Sequence, residues 1–470
     1  MGILIRSVAR AMVVALAAAL CAVVTAASGG VTAAITLTAT ALIVPGTAVP
    51  NPANVPGYME NAVDYYISPT TASCASMCTP VPVPYLAQFW PFPWEGWGGL
   101  DGAKLDESVA SGVAQLTSDL VGDNNPSADS PVVVFGYSQG ATVAGNVKSL
   151  LSKLPAQDQA NINFVLIGNP NRPNGGLFER LAMFGTVPIL DATFGQPTPT
   201  GTEMSTVDIA FQYDGVADFP LYPVNLLAVL NATAGFWYTH GSYLAPDGRN
   251  PDALPNGLTP AELAAAIADP AHQQRLPGSD TTYVLIPTVN LPLLQPLREF
   301  GAFTRTEFLT TPLIALIQPA LRVLIETGYD RSMPYGQPAP FRLIPRFNPI
   351  TVTVDLIDAI GQGIRDATAG PGAAPQPLTA AHDVPRADST PAPIRRAAAK
   401  PARQRSAPAA LPSLLPASAS STASPGTVEK AEQRPGRKTG GPAHESVDQV
   451  GCCLKMLDGL ADDAVDELRA

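Results

Sequence analysis

The sequence predicts an α/β protein in which a mainly parallel sheet is covered by helices on both faces. Short apolar runs rich in β-branched residues recur along the chain, helical patterns separate several of them, and one run leads into a tight, glycine-containing turn. Strands that alternate with helices favour a parallel sheet with both faces buried. The 470 residues suffice for a substantial core, and a charged fraction of only 14% excludes a coiled coil.

Charge and cysteine content limit the partners. A net charge of −11 argues against a nucleic-acid partner, because such a protein needs a basic face to neutralise phosphates. The five cysteines have neither a second pair nor a nearby histidine at the spacing of a zinc site. We therefore expect no structural metal.

The N-terminal segment predicts export. Arg6 and Arg10 precede an uncharged apolar run from Ala11 to about Ala27, the pattern of a secretory signal peptide. The run also approaches the ~20 residues of a membrane span, so an uncleaved anchor is an alternative. We assign residues 1–30 to a signal peptide or membrane anchor, and expect the protein to be secreted or anchored facing the periplasm or cell envelope.

An oxidising compartment would allow Cys74 and Cys78 to form a disulfide, with two free thiols as the alternative.

The segments before and after this cysteine pair differ in composition. Residues 35–45 are apolar and β-branched and predict a buried strand that ends at Pro45-Gly46-Thr47. Residues 80–99 hold three of the four tryptophans among several prolines, which indicates either a packed loop or an apolar rim beside a site.

The middle of the chain alternates helices and strands. Apolar residues at helical spacing predict a helix over Leu105–Leu120, before a turn-rich linker. Further strands are predicted at 131–135, 163–168, 207–213 and 282–287.

The last third changes in composition. Residues 292–327 predict apolar helical segments interrupted by proline, which would cap the sheet or form a lid. From about Gly370 the chain is mostly Ala, Pro and Ser, a composition that cannot offset its ordering entropy by burial. We therefore expect a folded α/β domain over residues 31–368 and a largely disordered tail over 369–470.

The turn after the strand at 131–135 predicts a nucleophilic serine. Gly136-Tyr137-Ser138-Gln139-Gly140 lies between this strand and a helical stretch, the setting of a nucleophile elbow. The strained turn requires flanking glycines because larger side chains would collide with the strand and the helix. Ser138 would then sit at a helix N-terminus, where developing negative charge is favoured. The alternative is an ordinary turn in which Ser138 caps the helix.

A nucleophilic serine needs a base, and two of the four histidines lie in the expected tail. His240 and His272 both follow the nucleophile, as the order Ser, acid, His requires. We favour His240, because it follows an apolar helical stretch and lies among turn residues, whereas His272 neighbours a helix of ordinary surface composition.

The segment VDIAFQYDGVADFP offers two acids, Asp214 and Asp218. We favour Asp218, because Gly-Val-Ala-Asp resembles the loop after a late strand in many α/β-hydrolases, and keep Asp214 as the alternative. The chosen carboxylate would fix the histidine tautomer and stabilise the imidazolium. We expect the backbone N–H groups of Gln139 and Thr47 to form the oxyanion hole.

Several segments together resemble the PE-PPE-domain serine hydrolases of mycobacteria. They are GYSQG, YDGVADFPLYPVNLLAVLNA, DTTYVLIPTVNLPLLQPLR and IETGYDR, within roughly Ala41 to Arg331, and GYSQG is also similar to the elbow of cutinases. The resemblance implies an α/β-hydrolase fold that acts on acyl esters, with Ser138, an aspartate of YDGVADFP and His240 as the triad. Some relatives are membrane-anchored acyltransferases that move fatty acyl groups between trehalose glycolipids of the cell envelope.

These observations predict an exported serine esterase or lipase that works through an acyl-serine intermediate. The first alternative is an acyltransferase in which a glycolipid hydroxyl replaces water, and the second is a non-catalytic envelope scaffold. The expected partners are a lipid or acyl-ester substrate, a possible glycolipid acceptor and a membrane reached through the N-terminal segment. No cofactor is expected, because a triad and an oxyanion hole supply both proton transfer and charge stabilisation.

Overall fold

The structure, a computed structural model, describes residues 39–75, 78–122 and 124–369. The predicted signal or anchor at residues 1–30 lies outside the described residues, as does the predicted disordered tail from residue 370 onward.

A seven-stranded sheet with the order β2-β1-β3-β4-β7-β9-β8 forms the centre of the domain, and a separate two-stranded hairpin pairs β5 with β6. The strands are β1 (Ala39–Val44), β2 (Cys78–Pro82), β3 (Val132–Tyr137), β4 (Ile162–Ile167), β5 (Thr186–Val187), β6 (Ala192–Thr193), β7 (Thr206–Phe211), β8 (Gln273–Gln274) and β9 (Thr281–Ile286). All neighbours in the large sheet are parallel except β8, which runs antiparallel to β9 at one edge. The predicted mainly parallel sheet is thus confirmed.

The described part of the chain has seven longer helices: α1 (Leu105–Val121), α2 (Gln139–Leu151), α3 (Leu226–Tyr238), α4 (Pro260–Ala268), α5 (Gln295–Thr304), α6 (Glu307–Glu326) and α7 (Pro349–Thr368). Shorter helical segments are Tyr58–Asn61, Ala62–Ile67, Ser68–Thr70, Ala156–Gln159 and Leu177–Arg180. Isolated 3₁₀ turns are Pro52–Asn54, Ala72–Cys74, Gly99–Asp101, Ala182–Phe184, His240–Ser242, Pro255–Gly257, Pro270–His272 and Pro292–Leu294.

Both faces of the sheet are buried. Successive residues of each strand point to opposite faces, and an apolar cluster covers each face. In β3, Val132 and Val134 pack in the cluster that contains α1 and α2 residues. Val133 and Phe135 pack on the other face, in the cluster that includes Tyr66. The unbroken apolar run of β3 therefore reflects burial on both faces.

Two elements differ from the sequence-based expectations. β2 forms within the proline-rich segment, and it does so at the sheet edge, where the missing N–H of Pro80 and Pro82 can be accommodated. α6 continues through Pro312 and Pro319 as one helix, although prolines were expected to interrupt it. Packing against α3 and α7 holds α6 together despite the hydrogen bonds that the prolines remove.

The register of the sheet brings the ends of its central strands together. Val44 of β1 lies opposite Gly136 of β3, and Tyr137 lies opposite Ile167 of β4. Loops that follow these strands must therefore meet at the carboxyl edge, which is where α/β sheets place their functional residues. Elsewhere, Cys74 and Cys78 form the predicted disulfide.

Candidate active site

Ser138 occupies the sharp turn between β3 and α2. Its backbone has φ 55° and ψ −121°, a strained conformation for a residue with a side chain. A Cβ added at Gly140 would lie 2.3 Å from the carbonyl oxygen of Val44, and one at Gly136 would lie 2.6 Å from that of Gly140. The glycines are thus required by close backbone approach. The Ser138 side chain makes no capping hydrogen bond to α2, so the capping alternative does not describe this turn.

His240 follows α3 and meets the serine directly. Its Nε2 lies 2.8 Å from Ser138 Oγ. The ring is stacked against Phe236 at 6.0 Å between centroids, and the Tyr137 hydroxyl donates to the His240 carbonyl oxygen. The structure places His272 elsewhere, with its Nδ1 against the carbonyl oxygen of Ala266. His240 is therefore the histidine that the fold brings to Ser138.

Asp214 completes the hydrogen-bonded chain. Its fully buried carboxylate lies 2.9 and 3.0 Å from His240 Nδ1, and it accepts further bonds from the Tyr243 hydroxyl and the Val216 N–H. Because Asp214 accepts a hydrogen bond from the Nδ1–H of His240, the Nε2 atom is left unprotonated and can accept a proton from Ser138.

The structure does not bring Asp218, the favoured acid, to His240. Arg331 instead donates two hydrogen bonds to its carboxylate, at 2.6 and 3.0 Å, and the Tyr213 N–H donates a third at 2.9 Å. The preference for Asp218 is thus corrected in favour of the alternative, Asp214. The physical reason is the tight turn after β7, in which Tyr213 has a positive φ of 68° and Asp214 immediately faces the histidine.

Sequence reasoning missed Tyr243 and Arg331. The buried Tyr243 hydroxyl accepts from the Phe211 N–H at 2.9 Å and donates to Asp214 at 2.8 Å. Burial raises the pKa of Tyr243 well above its usual value, so the hydroxyl stays neutral and remains a donor. A tyrosine three residues after the histidine was the available signal, because a 3₁₀ turn places positions i and i+3 on one side. No local pattern points to Arg331.

The loop after β1 approaches the elbow as an oxyanion hole requires. A Cβ added at Gly46 would lie 3.2 Å from Ser138 Cβ, so this loop touches the serine. The Tyr58 hydroxyl accepts from the Gly46 N–H, and the adjoining Thr47 N–H has no acceptor within the described part of the chain. Gln139 is the first residue of α2, where an N–H has no partner inside the helix.

The side chain of Gln139 fixes this end of α2. Its amide donates to the Gln88 carbonyl oxygen at 2.9 Å and accepts from Ser108 of α1 at 2.9 Å. The two expected oxyanion donors therefore lie on backbone segments that hydrogen bonds hold in place beside Ser138.

The tryptophan- and proline-rich segment at residues 80–99 is both a packed loop and a rim of the site. Trp94 and Trp97 lie 6.2 and 6.3 Å from Phe236, the residue stacked on His240. Trp94 also packs edge-on against Trp237 at 5.0 Å. Trp94 and Trp237 remain 38% and 55% exposed, so an aromatic surface borders the entrance to the histidine. No cluster of three metal-ligating side chains lies among the described residues.

Sheet order, elbow and loop placement put this chain among proteins of the α/β-hydrolase fold. Within that class the chain belongs to the PE-PPE domain family, whose family model matches residues 76–330, more than half of the chain.

Two relatives come from Mycobacterium tuberculosis. Esterase PE16 is 38% identical over 328 residues, which cover 68% of this chain and 54% of the relative. SL1278 acyltransferase Chp1 is 30% identical over 324 residues, which cover 66% of each chain. The chain thus spans about half the length of the esterase. Among solved structures, a cutinase-like protein from Cryptococcus sp. aligns at 18% identity with a TM-score of 0.24, over 38% of this chain and 79% of that one.

Proposed function

We propose that the protein is an exported serine esterase or lipase that hydrolyses fatty acyl esters. The observation that carries this proposal is the continuous hydrogen-bonded chain from Ser138 through His240 to Asp214. Its position at the carboxyl edge of a parallel sheet, and a relative that is named an esterase, support the same assignment. The exposed tryptophans at the entrance favour an apolar acyl group.

The proposed reaction has two halves. His240 Nε2 takes the Ser138 proton as Oγ attacks the ester carbonyl, and Asp214 stabilises the imidazolium. The N–H groups of Gln139 and Thr47 stabilise the oxyanion, and its collapse releases the alcohol, which receives the proton from His240. A water then loses a proton to His240 and attacks the acyl-serine, and His240 returns that proton to Ser138 Oγ as the fatty acid is released.

A second candidate is acyl transfer, which the similarity to an acyltransferase specifically favours. In this reaction a hydroxyl of a glycolipid, such as a trehalose glycolipid, replaces water as the acceptor of the acyl group. The elbow, the base and the oxyanion donors would keep their roles. The two activities differ only in what reaches the acyl-serine. The scaffold alternative is disfavoured, because a scaffold has no need of an aligned serine, histidine and aspartate.

The test is labelling followed by product analysis. We expect a fluorophosphonate probe to label the purified protein and not Ser138→Ala, which should keep the fold and lose turnover by at least about 10³-fold. Equal labelling or full turnover by the variant would refute the mechanism.

A second experiment supplies a labelled acyl ester with and without a trehalose glycolipid. Free fatty acid in both reactions indicates an esterase, whereas serine-dependent acylated glycolipid with little free acid indicates an acyltransferase.

A further inference from the structure

An unusual amount of apolar side chain is exposed beside the candidate site. The apolar face, as we define it, consists of residues on three adjoining helices that are 46–89% exposed: Leu230, Trp237, Phe300, Phe303, Phe308 and Leu313. Soluble proteins rarely leave such a contiguous apolar surface in water, and those that do usually bind something there.

The three helices are joined to one another. The Tyr238 hydroxyl at the end of α3 donates to Glu299 of α5 at 3.2 Å. α5 lies against α6, since a Cβ added at Gly301 would lie 2.1 Å from Thr310 Oγ1. The apolar face is therefore built from neighbouring elements.

Charge is missing from the segments that form much of this face. The chain has no Asp, Glu, Lys or Arg between Asp218 and Asp247, which includes all of α3, and none between Glu307 and Arg322 of α6. Solvent-facing helix surfaces normally carry charged residues. A protein partner would be selected through a polar rim and matching charges, whereas lipid hydrocarbon requires neither.

The aromatic residues of the face lie where a lipid interface would need them. Trp237 and Tyr238 end α3, and Trp94 packs against Trp237. Tryptophan and tyrosine prefer the boundary between hydrocarbon and water, because their rings are apolar and carry one polar group. These aromatic residues also border the entrance to His240, which lies two residues after Tyr238.

α6 fits a helix that lies on lipid better than one that crosses it. It is the one helix among residues 39–75, 78–122 and 124–369 with the length and composition of a membrane span. Of its most apolar 18-residue stretch, 28% is buried in the protein. Its Gln318 is buried and bonded to Arg298 of α5 and to the Leu291 N–H. A helix tied to the domain in this way exposes one side and keeps the other packed.

We infer that the apolar face docks the domain onto a lipid surface, so that the Ser138 site opens toward the acyl chains. This inference rests on the proposed function for its purpose, since a site for fatty acyl esters must reach substrates that are aggregated in lipid. The docking itself requires no catalysis and can be tested separately.

The experiment measures contact between Trp237 and lipid in the full-length chain. Vesicles of phosphatidylcholine with brominated acyl chains quench only the tryptophans that touch hydrocarbon. We expect them to quench the wild-type emission, and expect Trp237→Phe to lose at least half of that quenching. Trp90→Phe is the control: Trp90 is half-buried under Lys104, so its substitution should leave the quenching unchanged.

A second pair of variants tests the phenylalanines of the apolar face. Phe303→Ser with Phe308→Ser should weaken quenching by about threefold or more. Ile189→Ser should not, because Ile189 is as exposed as Phe308 but lies on the β5–β6 hairpin.

Three outcomes would overturn the inference. They are wild-type emission that brominated vesicles leave unchanged, quenching that is undiminished in Trp237→Phe, and a dimer that Phe303→Ser with Phe308→Ser converts to monomer while quenching stays the same. The last result would identify the face as a contact between two copies. Repeating the measurement with Ser138→Ala separates docking from catalysis, because the variant should lose turnover and keep the quenching. A wild-type protein that docks but has no esterase or acyltransferase activity would keep the docking and reject only the proposed function.

Discussion

At the scale of single residues, two aspartates four positions apart have different surroundings. Asp214 faces His240 and is fully buried, whereas Asp218 is held by Arg331 and the Tyr213 N–H. Both lie in the one segment that follows β7, and the favoured motif pointed to Asp218. What separates them is Arg331, which lies 113 positions further along the chain and cannot be paired with either acid from local pattern. The serine and histidine, by contrast, could be predicted from local signals: Ser138 from the elbow, and His240 from its position among turn residues after an apolar helical stretch.

The first prediction separates the two acids by substitution with asparagine. Asp214→Asn should lower kcat by about 10³- to 10⁴-fold with little change in Tm, because the histidine loses the partner that fixes its tautomer. Asp218→Asn should mainly lower Tm, because it removes the closer of the two carboxylates that pair with the Arg331 guanidinium and leaves only Glu326. Esterase kinetics and thermal unfolding of both variants check this. Loss of activity in Asp218→Asn equal to that of Asp214→Asn, at unchanged Tm, would restore Asp218 as the acid.

At the scale of elements, α3 and the turn after β7 are packed backbone to backbone. A Cβ added at Gly235 of α3 would lie 1.9 Å from the Tyr213 carbonyl oxygen, and one at Gly215 would lie 2.2 Å from that of Ala232. This contact fixes the histidine, which directly follows α3, relative to the aspartate, which lies in the turn. The alternation of apolar runs predicted the strands and most helices. It could not predict this contact, because packing of glycine on glycine leaves no periodic signal.

We therefore expect Gly235→Ala to impair catalysis from a distance. The added methyl group must push α3 away from the turn, which should lower kcat by about tenfold or more and the free energy of unfolding by about 1–3 kcal/mol. Gly241→Ala is the matched control, since Gly241 adjoins His240 in sequence and a Cβ there meets nothing within 4 Å. Measurements of kcat and of denaturant unfolding for Gly235→Ala and Gly241→Ala test this prediction. Equal activity in the two variants would mean that the α3 contact does not position the histidine.

At the scale of the whole molecule, stability depends on a carboxyl group that the proposed reaction does not use. Glu179, in the segment Leu177–Arg180, is 2% exposed, and its Oε1 has no hydrogen-bond partner among the described residues. Burial raises its pKa from 4.5 to about 8, against the opposing effect of a hydrogen bond from Asn171. Asn171 in turn accepts from Thr142 of α2, the helix that follows Ser138. The folded domain therefore prefers the protonated form of Glu179.

This preference gives the domain a defined dependence on pH. Between pH 4.5 and about 8 the unfolded chain releases the Glu179 proton and the folded domain retains it, so the free energy of unfolding should fall as pH rises and level off above about 8. Each pH unit contributes at most about 1.4 kcal/mol. Glu179→Gln keeps the shape of the protonated side chain and cannot ionise, so its stability advantage over wild type should grow from pH 5 to pH 8. Urea unfolding of both proteins at several pH values measures this advantage, and a constant difference would show that Glu179 ionises in the folded domain as readily as in the unfolded chain.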